Sequence, residues 1–188
     1  MIKTLATLLA LVALTACASP PSQTGDEAQR LATEIRNLGP GIDPSEADRA
    51  ARITYAYTAQ LAQEYQITDP PLIHNAKVNK GLKPRGLCWH WAEDIEQRLN
   101  QEGFKTLKIH RAIANADNPL RIDHSTAIIS RSEDEMQDGI ILDPWRYGGT
   151  LFWSPFREDT RYDWVPREIV LAQRRIEQYG ELLAYTGE

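Results

Sequence analysis

The chain has 188 residues, 42% of them hydrophobic and 25% charged, with a formal net charge of −5 and two cysteines. That length and composition suit one globular domain and exclude a disulfide-stapled miniprotein, a collagen-like or low-complexity chain and a polytopic membrane protein. The acidic balance, with no dense Lys/Arg run, argues against nucleic acid or an acidic membrane surface as the main partner.

Residues 1–16 read as a leader. Lys3 gives a positive start, and Leu5 to Leu14 form an apolar run too short to cross a bilayer as a helix but suited to a signal peptide. The run ends in Leu14-Thr15-Ala16-Cys17, which resembles a bacterial lipobox. Cleavage before Cys17 would leave a thiol for lipid attachment and so a membrane partner through the N-terminal lipid. The alternative is an ordinary signal peptide cut after Ala18, because Ala16-Cys17-Ala18 is also a small-residue cleavage site. Ala18 and Ser19, rather than Asp, follow the cysteine. By analogy with Gram-negative lipoproteins this implies the cell envelope, at the outer membrane facing the periplasm. The lipidated cysteine and a polar Pro/Ser tether then occupy 17–25, and a single domain occupies 26–188.

The domain opens with a helix from Asp26 to Leu38, whose apolar Ala28, Leu31, Ile35 and Leu38 recur at helical spacing before Gly39-Pro40. A longer helix starts at Asp43-Pro44-Ser45 and runs to about Tyr65. Thr68 to Pro84 has little periodicity and reads as a loop, which places His74 in that loop. A third helix begins at or just before Cys88, reaches Asn100 and stops at Gly103. Then the pattern turns to strands, at Phe104 to Ile113, His124 to Ser130, Gly139 to Leu142 and Thr150 to Trp153, separated by polar turns. A basic amphipathic helix from Pro166 to Tyr179 ends at Gly180. Helices first and antiparallel strands later give an α+β class.

Three residues of this layout suit nucleophilic chemistry. Cys88 stands at a helix start, where unpaired N–H groups and the helix dipole favour a thiolate and can receive an oxyanion. His124 opens a strand and could take the thiol proton. Asp143 ends the next strand and could fix the imidazole. Gly86-Leu87-Cys88-Trp89, Asp123-His124-Ser125 and Leu142-Asp143-Pro144-Trp145 resemble the three motif blocks of the transglutaminase-like cysteine protease superfamily, in the order and spacing of its bacterial periplasmic members. The resemblance covers about residues 80 to 155. It implies a papain-like or transglutaminase-like fold, in which N-terminal helices and a nucleophile helix pack on an antiparallel sheet. Cys88 matches the nucleophile, His124 the general base and acid, and Asp143 the orienting carboxylate. The implied activity is that of a cysteine peptidase or amidase on a peptide or protein amide, with acyl transfer to an amine as a variant and no cofactor.

Other residues carry weaker readings. Trp89, His90, Trp145 and Arg146 are candidates for lining the cleft; His90, two residues along the helix from Cys88, faces away from it or bonds locally. Asp123 is a lesser rival to Asp143, because adjacent strand residues face opposite sides. Asn75 and Asn79 are candidates for the second oxyanion donor. His110 lies within a strand as a structural residue. A zinc site from Cys88, His90, His124 and Asp143 has poor chelate spacing, and no metal is expected. Two other functions stay open: a peptidoglycan amidase or endopeptidase of the CHAP or NlpC/P60 type, and a catalytically silent binding or assembly lipoprotein with the same fold.

Overall fold

The computed structural model describes residues 23–186, with side chains from 25 to 179. The leader and Cys17 lie outside the described residues. Five helices run along the chain: α1 (Gln23–Asn37), α2 (Pro44–Glu64), α3 (Pro71–Asn79), α4 (Cys88–Asn100) and α5 (Arg167–Thr186). Five strands, β1 (Leu107–Ala114), β2 (His124–Arg131), β3 (Ile140–Asp143), β4 (Phe152–Pro155) and β5 (Val165–Pro166), form one antiparallel sheet in the order β4-β3-β2-β1-β5. The molecule is thus an α+β fold, with N-terminal helices that include α4 packed on a five-stranded antiparallel sheet.

Alternation along the strands divides the core in two. Ala127, Ile129, Ile140 and Leu142 face the main core with Leu31, Ile35, Leu61, Trp91, Ile95 and Leu99 from the helices. Their neighbours Ile128 and Ile141 face a smaller cluster with Ala112, Met136 and Trp164. The register pairs Ala127 with Leu142 and Ala114 with His124. His124 and Asp143 therefore have the same parity as Ile128 and Ile141, and they share one end of the sheet.

Local chemistry accounts for most boundaries. The Asp43 carboxylate accepts from the Ser45 N–H at 2.7 Å and caps α2, with Pro44 in the first turn. Buried Glu46 ties α2 to the start of β1: its carboxylate accepts from the Lys105 and Thr106 N–H groups, each at 2.8 Å, and from the Thr106 hydroxyl at 2.6 Å. Burial alone would raise the Glu46 pKa, but these donors hold it below the usual carboxylate range.

Several expectations from the sequence need correction. The stretch Thr68 to Pro84 is not all loop, because it contains α3. That helix has nine residues and buries only His74, so it leaves almost no periodic signal. His74 is consequently a core residue, and its Nε2 lies 2.8 Å from the Arg85 carbonyl. The tether is shorter than expected, since Gln23 to Gly25 already belong to α1. At the other end Gly180 does not stop α5, which continues to Thr186. A glycine inside a helix costs only about 1 kcal/mol, and Glu181-Leu182-Leu183-Ala184 beyond it are strong helix formers. The short β5, paired to Ala112 and Ile113 of β1, carries no sequence signal because Val165-Pro166 is too brief to alternate.

Candidate active site

Cys88 is the first residue of α4, and the turn before it is pinned from three sides. Gly86 has φ +120°, a conformation that side chains rarely adopt. The Gly86 and Leu87 N–H groups both donate to His90 Nδ1 at 3.1 Å, and Trp91 Nε1 donates to the Gly86 carbonyl at 3.1 Å. His90 thus turns back onto the backbone as a local cap and is 7% exposed. Burial, helped by the nearby Arg85 charge, lowers its pKa to about 4, which keeps the ring neutral so that Nδ1 can accept. Among the leading N–H groups of α4, that of His90 bonds the Leu87 carbonyl at 2.9 Å, and no side chain caps those of Cys88 and Trp89.

The thiol meets the sheet at the start of β2. Cys88 Sγ donates to the Asp123 carbonyl at 3.5 Å. The next residue, His124, is 1% exposed, and its Nε2 lies 2.7 Å from Asp143 Oδ2. His124 Nδ1 is buried and makes no hydrogen bond. The sulfur is close enough to act on the imidazole charge. Burial would lower the His124 pKa, but Asp143 first and Cys88 second reverse that and push it up to about 9. The imidazole is accordingly poised as a cation at neutral pH, with one ring nitrogen held and the other left for the thiol.

Behind Asp143 stands a network that local spacing did not reveal. Arg146 donates through Nε to Asp143 Oδ2 at 2.9 Å and through its backbone N–H to Oδ1 at 3.1 Å. Its two terminal nitrogens reach Asp159 at 3.0 and 2.6 Å, and Trp164 Nε1 donates to Asp159 at 3.0 Å. The buried ion pairs hold Asp159 below its ordinary pKa against the opposing effect of burial. Arg146 also lies over the Phe152 ring at 3.8 Å and the Tyr162 ring at 4.9 Å. The rings of Trp145, Tyr162 and Trp164 surround the His124 imidazole at centroid distances of 4.6, 4.7 and 5.2 Å. These rings exclude water from the His124–Asp143 bond, which strengthens it.

The structure therefore brings Cys88, His124 and Asp143 together and leaves Asp123 out. The Asp123 carboxylate points outward to Arg174 of α5 at 2.6 Å, and only its carbonyl faces the thiol. Trp145 and Arg146 form part of a cavity wall beside His124, whereas Trp89 and His90 do not. Trp89 is 45% exposed and lies tilted against the His90 ring. His110 makes a local bond to Ser130 Oγ at 2.8 Å. Asn75 accepts a hydrogen bond from Trp145 Nε1 at 3.0 Å, which ties α3 to the ring over His124. Asp159 and Tyr162 were missed because 16 and 19 residues separate them from Asp143 with no repeating pattern. The one available signal was the run of Arg, Tyr and Trp around 161–164, which reads equally well as packing. Comparison with protein-family models, with curated proteins and with solved structures found no match to the chain.

Proposed function

We propose that the chain is a cysteine peptidase or amidase with a transglutaminase-like, papain-like fold, anchored in the bacterial cell envelope by a lipid on Cys17. The observation that carries the reading is the orientation of His124. Asp143 holds Nε2, buried Nδ1 has no hydrogen-bond partner, and the Cys88 sulfur is close enough to raise the pKa of the ring. Buried His74 also leaves its Nδ1 unpaired, so what sets His124 apart is the buried carboxylate on Nε2 together with the Cys88 sulfur within range of the ring.

In the proposed reaction the Cys88 proton already resides on His124 Nδ1 as a thiolate–imidazolium pair, and the sulfur adds to an amide carbonyl carbon. The tetrahedral oxyanion lies at the α4 N-terminus, against the Cys88 and Trp89 N–H groups, which no side chain caps. We assign the second donor to the Asn75 side-chain amide, whose oxygen is tied to Trp145 and whose N–H groups are thereby oriented. Collapse of the intermediate breaks the C–N bond, and the proton on Nδ1 leaves with the amine. Water, or an amine in the transfer variant, then gives its proton to Nδ1 and attacks the thioester, which releases the acyl group and restores the thiolate–imidazolium pair. Asp143 keeps the ring's orientation throughout, and Arg146 and Asp159 keep Asp143 in place.

The reading is tested by alkylation. In a Cys17→Ser chain, Cys88 is the only cysteine. Iodoacetamide at pH 6 should label it at least tenfold faster in the native protein than in urea, although the side chain is 6% exposed. Slower labelling in the native state would identify an inert buried thiol and overturn the assignment. The anchor has its own test. A fatty-acid analogue fed to expressing bacteria should label the wild type and not Cys17→Ser, and persistent labelling of the variant would show that Cys17 is not the site.

A further inference from the structure

A cavity of about 660 Å³ opens over the Trp145 and Tyr162 rings that lie against His124, within the range of about 300–1,000 Å³ usual for ligand sites. One wall comes from the start of α3, with Leu72 and Ile73, and the other from the β1–β2 loop, with Leu120 and Ile122. These four side chains are 62%, 51%, 94% and 50% exposed. Ten large apolar side chains stand exposed among the described residues, and four of them meet around this one cavity. A concentration of this kind marks a binding surface rather than the scattered apolar exposure of any folded protein.

The charge at this cavity is opposite to that of the chain. Its lining contains Arg121, Arg146 and Arg161 and no carboxylate, although the whole sequence has 26 acidic against 21 basic residues. Arg146 is neutralised by Asp143 and Asp159. The other two guanidinium groups are not. Arg121 donates to the Asn115 side-chain oxygen at 3.2 Å, and Arg161 lies over the Tyr162 ring at 5.6 Å. Neither forms an ion pair among the described residues.

We propose that this cavity binds the substrate polypeptide and selects a segment in which large apolar side chains are flanked by carboxylates. The proposal rests on the Cys88 reading for its reaction, but binding can be measured without it. Apolar side chains of the segment cover Leu72, Ile73, Leu120 and Ile122. Its carboxylates meet Arg121 and Arg161, and the adjoining amide lies towards Cys88. A polypeptide is favoured over an anionic lipid because the cavity adjoins a site built for amide chemistry.

The experiment uses the full chain with Cys17→Ser and Cys88→Ala, so that no reaction occurs. Three fluorescein-labelled peptides are titrated by fluorescence polarisation, with cores Glu-Leu-Phe-Glu, Lys-Leu-Phe-Lys and Glu-Ser-Ser-Glu. The first should bind at least tenfold more tightly than either of the others. Adding Arg121→Glu and Arg161→Glu should reverse the order of the first two, and Leu120→Ser, at a position too exposed to support the fold, should weaken the first about fivefold. Equal binding of the Glu and Lys peptides, or no effect of Leu120→Ser, would overturn the proposal. Displacement of bound peptide by phosphatidylglycerol vesicles but not by phosphatidylcholine vesicles would overturn it in favour of a lipid. The alkylation rate of Cys88 in the Cys17→Ser chain decides the catalytic reading separately. Fast alkylation without peptide discrimination leaves that reading intact, and discrimination with an inert thiol removes the reaction while keeping the cavity.

Discussion

Replacing His124 with alanine in the Cys17→Ser chain should slow iodoacetamide labelling of Cys88 at pH 6 by about 10²-fold. An ordinary thiol, with a pKa of about 8.5, is only about 0.3% thiolate at that pH, whereas a sulfur that has passed its proton to an imidazole is mostly thiolate. The full ratio of the two populations is offset in part by the lower nucleophilicity of a more acidic thiol. The shape of the pH profile is as informative as the size of the effect. His124 has its pKa raised to about 9 by Asp143 and Cys88 against the effect of burial. The wild-type rate should therefore stay nearly level between pH 6 and 8, while the His124→Ala rate climbs about tenfold per pH unit until the free thiol ionises. Asp143→Asn should behave like a weaker His124→Ala, because the ring would lose the charge on Nε2 but keep its packing among three aromatic rings. Parallel profiles for the wild type and His124→Ala would remove the imidazole from the thiol's chemistry.

The same pKa makes a statement about folding. A histidine whose pKa is higher in the folded state than its unfolded value of about 6.5 adds stability that is fully present below pH 6.5 and is lost as the pH rises through about 9. The contribution follows the charge on His124, so it should vanish in His124→Ala.

Gly86→Ala should be among the most damaging single substitutions in the domain, at about 3–5 kcal/mol. Two causes add. The backbone stands at φ +120°, where an alanine is strained by about 1–3 kcal/mol. A Cβ there would also overlap His74 Nε2, lie 2.7 Å from His74 Cδ2 and come within 3.2 Å of Ile67 Cδ1. His74 has no room to yield, being 1% exposed and bonded to the Arg85 carbonyl. Overpacking of this kind costs about 1–3 kcal/mol more. For a domain of this size the change should lower the melting temperature by about 10 °C. His74→Ala in the same chain should restore only the steric part, because the φ strain does not depend on the neighbour. A melting temperature within 2 °C of the wild type would show that the turn can adopt another conformation and that Gly86 is not required before the nucleophile.

The sequence revealed the fold unevenly, for physical reasons. Long periodic elements such as α2 and α4 declared themselves, as did β2, whose Ala127-Ile128-Ile129 run is buried on both faces. Short elements with little buried periodicity did not, as α3 and β5 show. In the site, Cys88, His124 and Asp143 were legible because each falls at an element boundary, where a side chain can face a neighbouring element without disturbing a ladder. The support behind them was not. Asp159 matters only because Arg146 bridges it to Asp143, and that bridge depends on a turn and a three-dimensional crossing that no spacing records. His90 is the instructive middle case. Its helical position correctly turned it away from Cys88, yet nothing in the sequence distinguishes a free imidazole from one that caps the backbone two residues before the thiol.

On the proposed reading, the division of Cys88, His124 and Asp143 between α4 and the sheet bears on when reactivity arises during folding. The backbone hydrogen bonds of α4 are local, so the Cys88 thiol needs no contact distant in sequence to reach its helix start. Its imidazole partner is 36 residues further along the chain, and the orienting carboxylate another 19. Both arrive only after β2 and β3 have paired and docked, steps that need contacts distant in sequence and are therefore late. A nascent or partly folded chain would carry a thiol no more reactive than free cysteine, and the activated nucleophile would appear with the final docking of the two halves. The alkylation rate of Cys88 thus doubles as a clock for that step, one that distinguishes the finished molecule from any compact intermediate with the same secondary structure.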